Sequence, residues 1–230
     1  MAEPVVIYGP SGGGKSRSIT MFGERQLLIV QAEKKRLPTR KKFQYILQTD
    51  NLNVIKNQLK RMPLKAAVID DAGYIMTNMF MRGHREKSGS KSFDLYDDIA
   101  DAFWGLFRFI KDELPDDVIV YIVMHEDTND YGNTKLKTIG KLLDNKVCLE
   151  GMVTICLRCV SSMGHHFFRT VTDGNDITKS PEGMFAGDEI DNDLAAVDAA
   201  IRDYYGLEPL PDDNNDNENT AEADNNKESA

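Results

Sequence analysis

The sequence has no run approaching the ~20 apolar residues that a membrane span needs, so no spanning helix is expected. It has no basic segment ahead of its first apolar run, which argues against a secretory signal peptide. Cysteine is scarce. Cys148, Cys156 and Cys159 are an odd number, and without an export signal they read as reduced thiols in a cytoplasm. Cys156 and Cys159 form a C-x-x-C inside a strand-like apolar run. Residues three apart on a strand face opposite ways, and the nearby His165 and His166 are adjacent and also alternate, so no metal site is expected there. There is no internal repeat. Residues 208–230 have almost no apolar side chains and are rich in Asn, Asp and Glu, too little buried surface to offset ordering entropy. They read as an acidic disordered tail behind a core of residues 1–207. Eight acids against one lysine in that tail carry −7 of the formal −9, which leaves the core nearly neutral and able to hold a local basic surface. On composition the tail is either a solubilising segment or an electrostatic decoy that competes with nucleic acid.

What is present fits one globular domain: 230 residues, 41% hydrophobic and 28% charged, enough for a substantial core. Strand-like runs fall at 4–9, 26–32, 44–48, 65–70, 118–124, 152–159 and 166–172. Most are continuously apolar, as strands buried on both faces of a parallel sheet are. Helical patterns fall at 15–23, 51–62, 93–114 and 191–205, with caps expected at Asp50-Asn51 and Asp191-Asn192. Leu95, Ile99, Phe103, Leu106, Phe107 and Ile110 form a core-facing stripe on the third. Asp173-Gly174 signals a hairpin between two late strands. The order predicts an α/β fold with a mostly parallel central sheet flanked by helices and a C-terminal antiparallel hairpin edge.

Directly after the apolar run Pro4–Tyr8 comes Gly9-Pro10-Ser11-Gly12-Gly13-Gly14-Lys15-Ser16, then Arg17. This matches the P-loop pattern G-x-x-x-x-G-K-[ST] in its proper setting after a strand. Glycines let the backbone wrap a polyphosphate with its N–H groups inward, and the following helix presents its N-terminus. Lys15 would reach the β- and γ-phosphates, and Ser16 would ligate Mg²⁺. Ala66–Ile69 lead into Asp70, placed to hold the same metal in the Walker B role. Asp71 would either polarise water or cap the next segment. The second strand runs out at Glu33, a carboxylate suited to accept a proton from water aimed at the γ-phosphate. The fifth strand ends at His125, a polar group able to report the γ-phosphate to the loop beyond.

Together the P-loop, the Ala32-Glu33 strand end, Asp70, His125 and the late Asp-Gly turn resemble a RecA-like P-loop NTPase core over about residues 4–206. The closest resemblance is to phage-encoded nucleotide-binding ATPases of single-strand annealing and recombination. It implies ATP and Mg²⁺ as cofactors, Glu33 as general base and His125 as the γ-phosphate switch. Lys179, in the segment after the hairpin, resembles a lysine finger reaching a neighbouring subunit's nucleotide, with Arg169 as a weaker alternative. It also implies single-stranded DNA as partner, a ring or DNA-dependent homo-oligomer, a possible single-strand-binding protein as companion, no membrane association and a bacterial host cytoplasm. Two departures stand out. No arm of the kind that builds full recombinase filaments is expected before the first strand, and Asp71 replaces the small or hydroxyl residue usual after the Walker B aspartate.

Residues 126–146 show no strand or helix pattern and read as a long DNA-binding loop, with Lys135, Lys137 and Lys141 for phosphates and Tyr131 for stacking on a base. A second basic run, Lys34-Lys35-Arg36 with Arg40-Lys41-Lys42, is either a solvated face or a phosphate-backbone contact. The segment Arg82–Ser92, rich in Gly, Ser, Lys and Arg, is expected to be mobile. Two other functions fit the same motifs. One is a nucleoside monophosphate kinase with Arg82 and Arg85 as a thin lid. The other is an ATP-switched DNA-binding or loader module without significant turnover.

Overall fold

The computed structural model describes residues 1–86 and 91–213. Part of the Arg82–Ser92 segment, and the tail beyond Asp213, lie outside the described residues. The elements in chain order are β1 (Glu3–Gly9), α1 (Lys15–Ile19), β2 (Leu28–Gln31), β3 (Tyr45–Gln48), α2 (Leu52–Arg61), β4 (Ala66–Asp70), α3 (Gly73–Gly83) and α4 (Lys91–Glu113). They continue with β5 (Ile119–Thr128), β6 (Thr134–Leu136), β7 (Ile155–Ser162), β8 (His165–Arg169), β9 (Glu189–Asp191) and α5 (Leu194–Tyr205).

The sheet order is β3-β2-β4-β5-β1-β7-β8-β9, with β6 paired to β5. From β3 to β7 every neighbouring pair is parallel, whereas β7–β8, β8–β9 and β5–β6 are antiparallel. The continuous apolar runs are explained by two cores, one on each face. Val6, Val30, Ile69, Ile122 and Cys156 face α2, α3 and α4, which contribute Ile55, Met76, Phe103 and Phe107. Val5, Ile7, Ile29, Val68, Leu157 and Cys159 face α1 and α5, which contribute Ile19, Val197 and Ile201. The expected parallel sheet, its flanking helices and the core stripe of α4 are therefore all present. Cys156 and Cys159 do face opposite ways. All three cysteines are free, and the described residues contain no group of three metal-ligating side chains. No described helix is long and apolar enough to cross a membrane.

Several elements differ from the pattern read in the sequence. α1 stops at Ile19 rather than 23, because the Thr20 N–H and hydroxyl both donate to the Arg17 carbonyl, closing the turn locally. α3 has no counterpart among the expected helices. Asn51 caps α2 as expected, but α5 begins later, so Asp193 rather than Asp191-Asn192 accepts from its first turn, through Ala196 N–H. The turn joining β7 to β8 is Met163-Gly164, both with positive φ (50° and 83°), the two-residue geometry that matches strand twist. Asp173-Gly174 lies in the loop after β8 instead. The stretch 126–146 is not one open loop. β5 runs on to Thr128 and pairs with β6, forming a projecting hairpin.

Residues 207–213 fold back on the body. Leu207 and Leu210 pack against the α5-side core, and the Asp213 carboxylate accepts from the Glu24 and Arg25 N–H groups. Beneath them, Arg202 is 2% exposed. Its guanidinium donates to the Asp198 carboxylate at 2.5 Å and to the carbonyls of Lys65, Asp117 and Glu208. Asp198 also accepts from the Tyr121 hydroxyl at 2.9 Å.

Candidate functional site

The parallel strands end at one edge of the sheet, and the register sets what meets there. Gly9 is level with His125 across β1–β5, and Gln31 is level with Asp70 across β2–β4. β5 lies between the P-loop strand and the strand carrying Asp70. The loop Gly9–Ser16 curls over this edge. A Cβ on Gly9 would lie 2.5 Å from the Cys159 carbonyl oxygen, so the loop needs glycine there to approach β7. Gly14 has φ 105°, and a Cβ on it would meet His166 Nδ1 at 2.9 Å. His166 is thereby a wall of the loop, with Nδ1 3.2 Å from the Gly13 carbonyl.

A cleft of about 560 Å³ opens here, lined by residues that include Ser11, Gly12, Gly14, Lys15, Ser16, Arg17, Lys35, Asp71, His125 and His166. Lys15 is buried, and its ammonium donates to the Gly9 and Pro10 carbonyls at 2.9 and 2.7 Å. Burial pushes its pKa down, opposed by the negative charges nearby. Ser16 Oγ stands 3.1 Å from both carboxylate oxygens of Asp70, which is 1% exposed. Burial pushes Asp70 up, with Lys35 the main opposing charge. Arg17 reaches away from Lys15, donating to Asn192 Oδ1 at 3.2 Å.

His125 joins the two sides of the cleft. Its Nδ1 is 3.5 Å from Lys15 Nζ, and its Nε2 is 3.5 Å from Asp71 Oδ1. An ammonium has only protons to offer, so Nδ1 is the acceptor and Nε2 carries the hydrogen facing Asp71. Asp71 is the residue whose role the sequence left open. It sits at φ 55°, 4% exposed, and turns the chain from β4 into α3, its carbonyl accepting from Tyr74 N–H. Its carboxylate pairs with Lys35 from the β2–β3 loop. Burial works against its ionisation, but hydrogen bonds from His125 and Lys35 outweigh burial and hold its pKa down at about 2.

Glu33, two residues after β2 ends, is exposed and is not among the residues lining this cleft, whereas Lys35 and Pro38 of the same loop are. Lys179 forms an isolated antiparallel bridge with Cys156 and lies outside the cleft lining. Arg169 is engaged with Asp173 and lies near Glu189. Arg82 pairs with Asp50 at the cap of α2. Tyr131 is 89% exposed at the tip of the β5–β6 hairpin, Lys135 lies on β6, and Lys141 is exposed beyond it. Lys137 donates its N–H to the His125 carbonyl and lines a second depression with Ser11, Tyr74, Thr77 and His125. The hairpin base is braced by Arg158 on β7, which donates to both oxygens of Glu126, at 2.9 and 3.1 Å, and approaches Asp176. Sequence reasoning assigned His166 and Asn192 other roles and left Arg158 unmarked, because each acts through a neighbour far away in the chain. Asp71 and Lys35 were visible but ambiguous.

No protein-family model matches the chain, and no curated protein matches it.

Proposed function

We propose that the protein binds and hydrolyses ATP, and that it acts on single-stranded DNA in recombination, annealing or replication, with a RecA-like P-loop core. The observation that carries the first part is the meeting of Ser16 Oγ with the Asp70 carboxylate at 3.1 Å, directly under the loop that holds Lys15. A hydroxyl and a carboxylate from the P-loop and a separate strand are the donors that nucleotide-bound Mg²⁺ takes from protein, most of its other ligands being water and phosphate. Ser16 and Asp70 would hold that ion, which when bound neutralises phosphate charge. Lys15 would exchange its loop carbonyls for phosphate oxygens, and the N–H groups of Gly12–Ser16 would face the same anion.

His125 supports a link from this site to the hairpin, since it touches Lys15 on one side and its carbonyl receives Lys137 on the other. Tyr131 gives the hairpin an exposed ring for stacking on a base. Glu33 as water-orienting base requires the β2–β3 loop to bring it inward, and Lys179 as a finger requires a second copy of the chain. The deciding experiment is ATP turnover with and without single-stranded DNA, on the full chain and on one cut after Asp213. Turnover that rises with DNA on either chain is expected. No turnover refutes the enzyme reading, and turnover indifferent to DNA but stimulated by a nucleoside monophosphate favours a phosphotransferase. A Glu33→Ala variant as fast as wild type removes Glu33 from the reaction.

A further inference from the structure

We infer that Lys35 is a second phosphate-binding cation of the P-loop cleft, one that selects for the terminal phosphate of a nucleoside triphosphate; this rests on the nucleotide reading above. Lys35 is held at both its backbone and its ammonium end. Lys35 lies in the loop after β2, in a run of basic residues whose default is solvent. Its backbone is fixed by Gln31, a residue only 2% exposed, whose side-chain amide donates to the Lys35 carbonyl at 2.9 Å. Gln31 is itself oriented by Gln48 on β3, whose amide donates to Gln31 Oε1 at 3.0 Å. The far end of the Lys35 side chain is taken by Asp71, a buried carboxylate held in the left-handed region of backbone space. Holding a long side chain in one geometry costs entropy, and pre-ordering from both ends reduces that cost.

That support aims the ammonium into the cleft. Lys35 Nζ stands 3.9 Å from the Asp70 oxygen that Ser16 Oγ bonds at 3.1 Å, so it lies across the carboxylate from the P-loop serine. The side chain is 39% exposed and shares the cleft lining with Lys15, Ser16 and His125. An ammonium has three donors, and Asp71 occupies one, so contact with an anion does not require the ion pair to break. Two lysine charges, Lys15 and Lys35, line one cavity and repel each other. An anion between them relieves that repulsion and gains a charge-assisted hydrogen bond. Lys35 comes from the loop that follows β2, the strand beside Asp70's, rather than from the P-loop, so it approaches the cleft from the side opposite β1. A diphosphate held by the loop would leave it idle, and a triphosphate would engage it. Lys35 would then supply, within one chain, positive charge of the kind a neighbouring subunit's finger supplies in trans.

The test is calorimetric titration of ADP and of an imido-bridged, non-hydrolysable ATP analogue, each with Mg²⁺, into wild type, Lys35→Ala and Lys35→Arg, with thermal melts confirming that all three are folded. The expected result is a loss of about tenfold or more in affinity for the analogue in Lys35→Ala, a change of less than about twofold for ADP, and recovery of most of the loss in Lys35→Arg. Equal losses for both nucleotides, or no loss for the analogue, overturn the inference while leaving the nucleotide site standing. Wild type that binds neither nucleotide overturns the nucleotide reading and this inference with it.

Discussion

Replacing Arg202 by methionine is expected to expose the cost of the charge at the heart of the α5-side core. The guanidinium is the only cation bonded to the buried Asp198 carboxylate among the described residues, and it also serves three backbone carbonyls. Methionine fills much of the volume but leaves Asp198 with the Tyr121 hydroxyl alone. Removing one partner of a buried ion pair costs about 3–5 kcal/mol. For a chain of this size that lowers Tm by about 6–20 °C, at about 2–4 °C per kcal/mol. The loss depends on pH in a defined direction. Burial already pushes the Asp198 pKa up and Arg202 opposes it, so in the variant the folded-state pKa rises further above the unfolded value. A carboxyl with a raised folded pKa contributes most at low pH and loses stability as pH climbs from its unfolded pKa through its folded one. The variant's deficit should therefore shrink as the pH falls from 7 to 5. Adding Asp198→Asn removes the charge while keeping an acceptor for Tyr121, and should restore most of the stability at pH 7. Urea unfolding at the two pH values reads all of this. A single variant within about 1 kcal/mol of wild type, or a double variant no more stable than the single, refutes the reasoning.

Three further outcomes follow from geometry. Asp71→Ala should be less stable than Asp71→Gly by about 1 kcal/mol in urea unfolding, because both lose the carboxylate but only alanine is strained at φ 55°. Gly9→Ala should cost about 1–3 kcal/mol, since its methyl would meet a backbone carbonyl at 2.5 Å that cannot rotate away, and a melt indistinguishable from wild type would contradict the packing of the loop on β7. Tyr131→Ala should leave stability within about 0.5 kcal/mol and weaken single-stranded DNA binding by about 1–3 kcal/mol in a fluorescence titration; unchanged binding removes the hairpin tip from the interface.

The P-loop and Asp70 were legible because their chemistry is local: a strand, a glycine-rich turn and a lysine follow one another, and an apolar run ends in a carboxylate. The parallel sheet was legible because strands buried on both faces are apolar throughout. α3 was not, since its start depends on Asp71 adopting a left-handed conformation that aspartate only sometimes takes. The β7–β8 turn was hidden for a similar reason. Met163 at φ 50° is a weaker turn signal than the Asp173-Gly174 pair nearby, and strand pairing overrode it. The contrast between Glu33 and Lys35 shows the limit most clearly. Both follow the same strand within two positions of each other, and only the contacts with Gln31 and Asp71 decide which one turns inward.

The central place of β1 has a consequence for how the chain comes to be folded. Val6 pairs with Ile122 on one side and Cys156 on the other, partners made well over a hundred residues later. β2, β3 and β4, by contrast, can join one another from the first seventy residues. On a ribosome, the apolar strand that ends in the P-loop must wait, unpaired and adhesive, until most of the protein has emerged. The loop that reads as the start of the chemistry is thus among the last parts to find its place, and a nascent or truncated chain lacking β7 would carry the motif without the site.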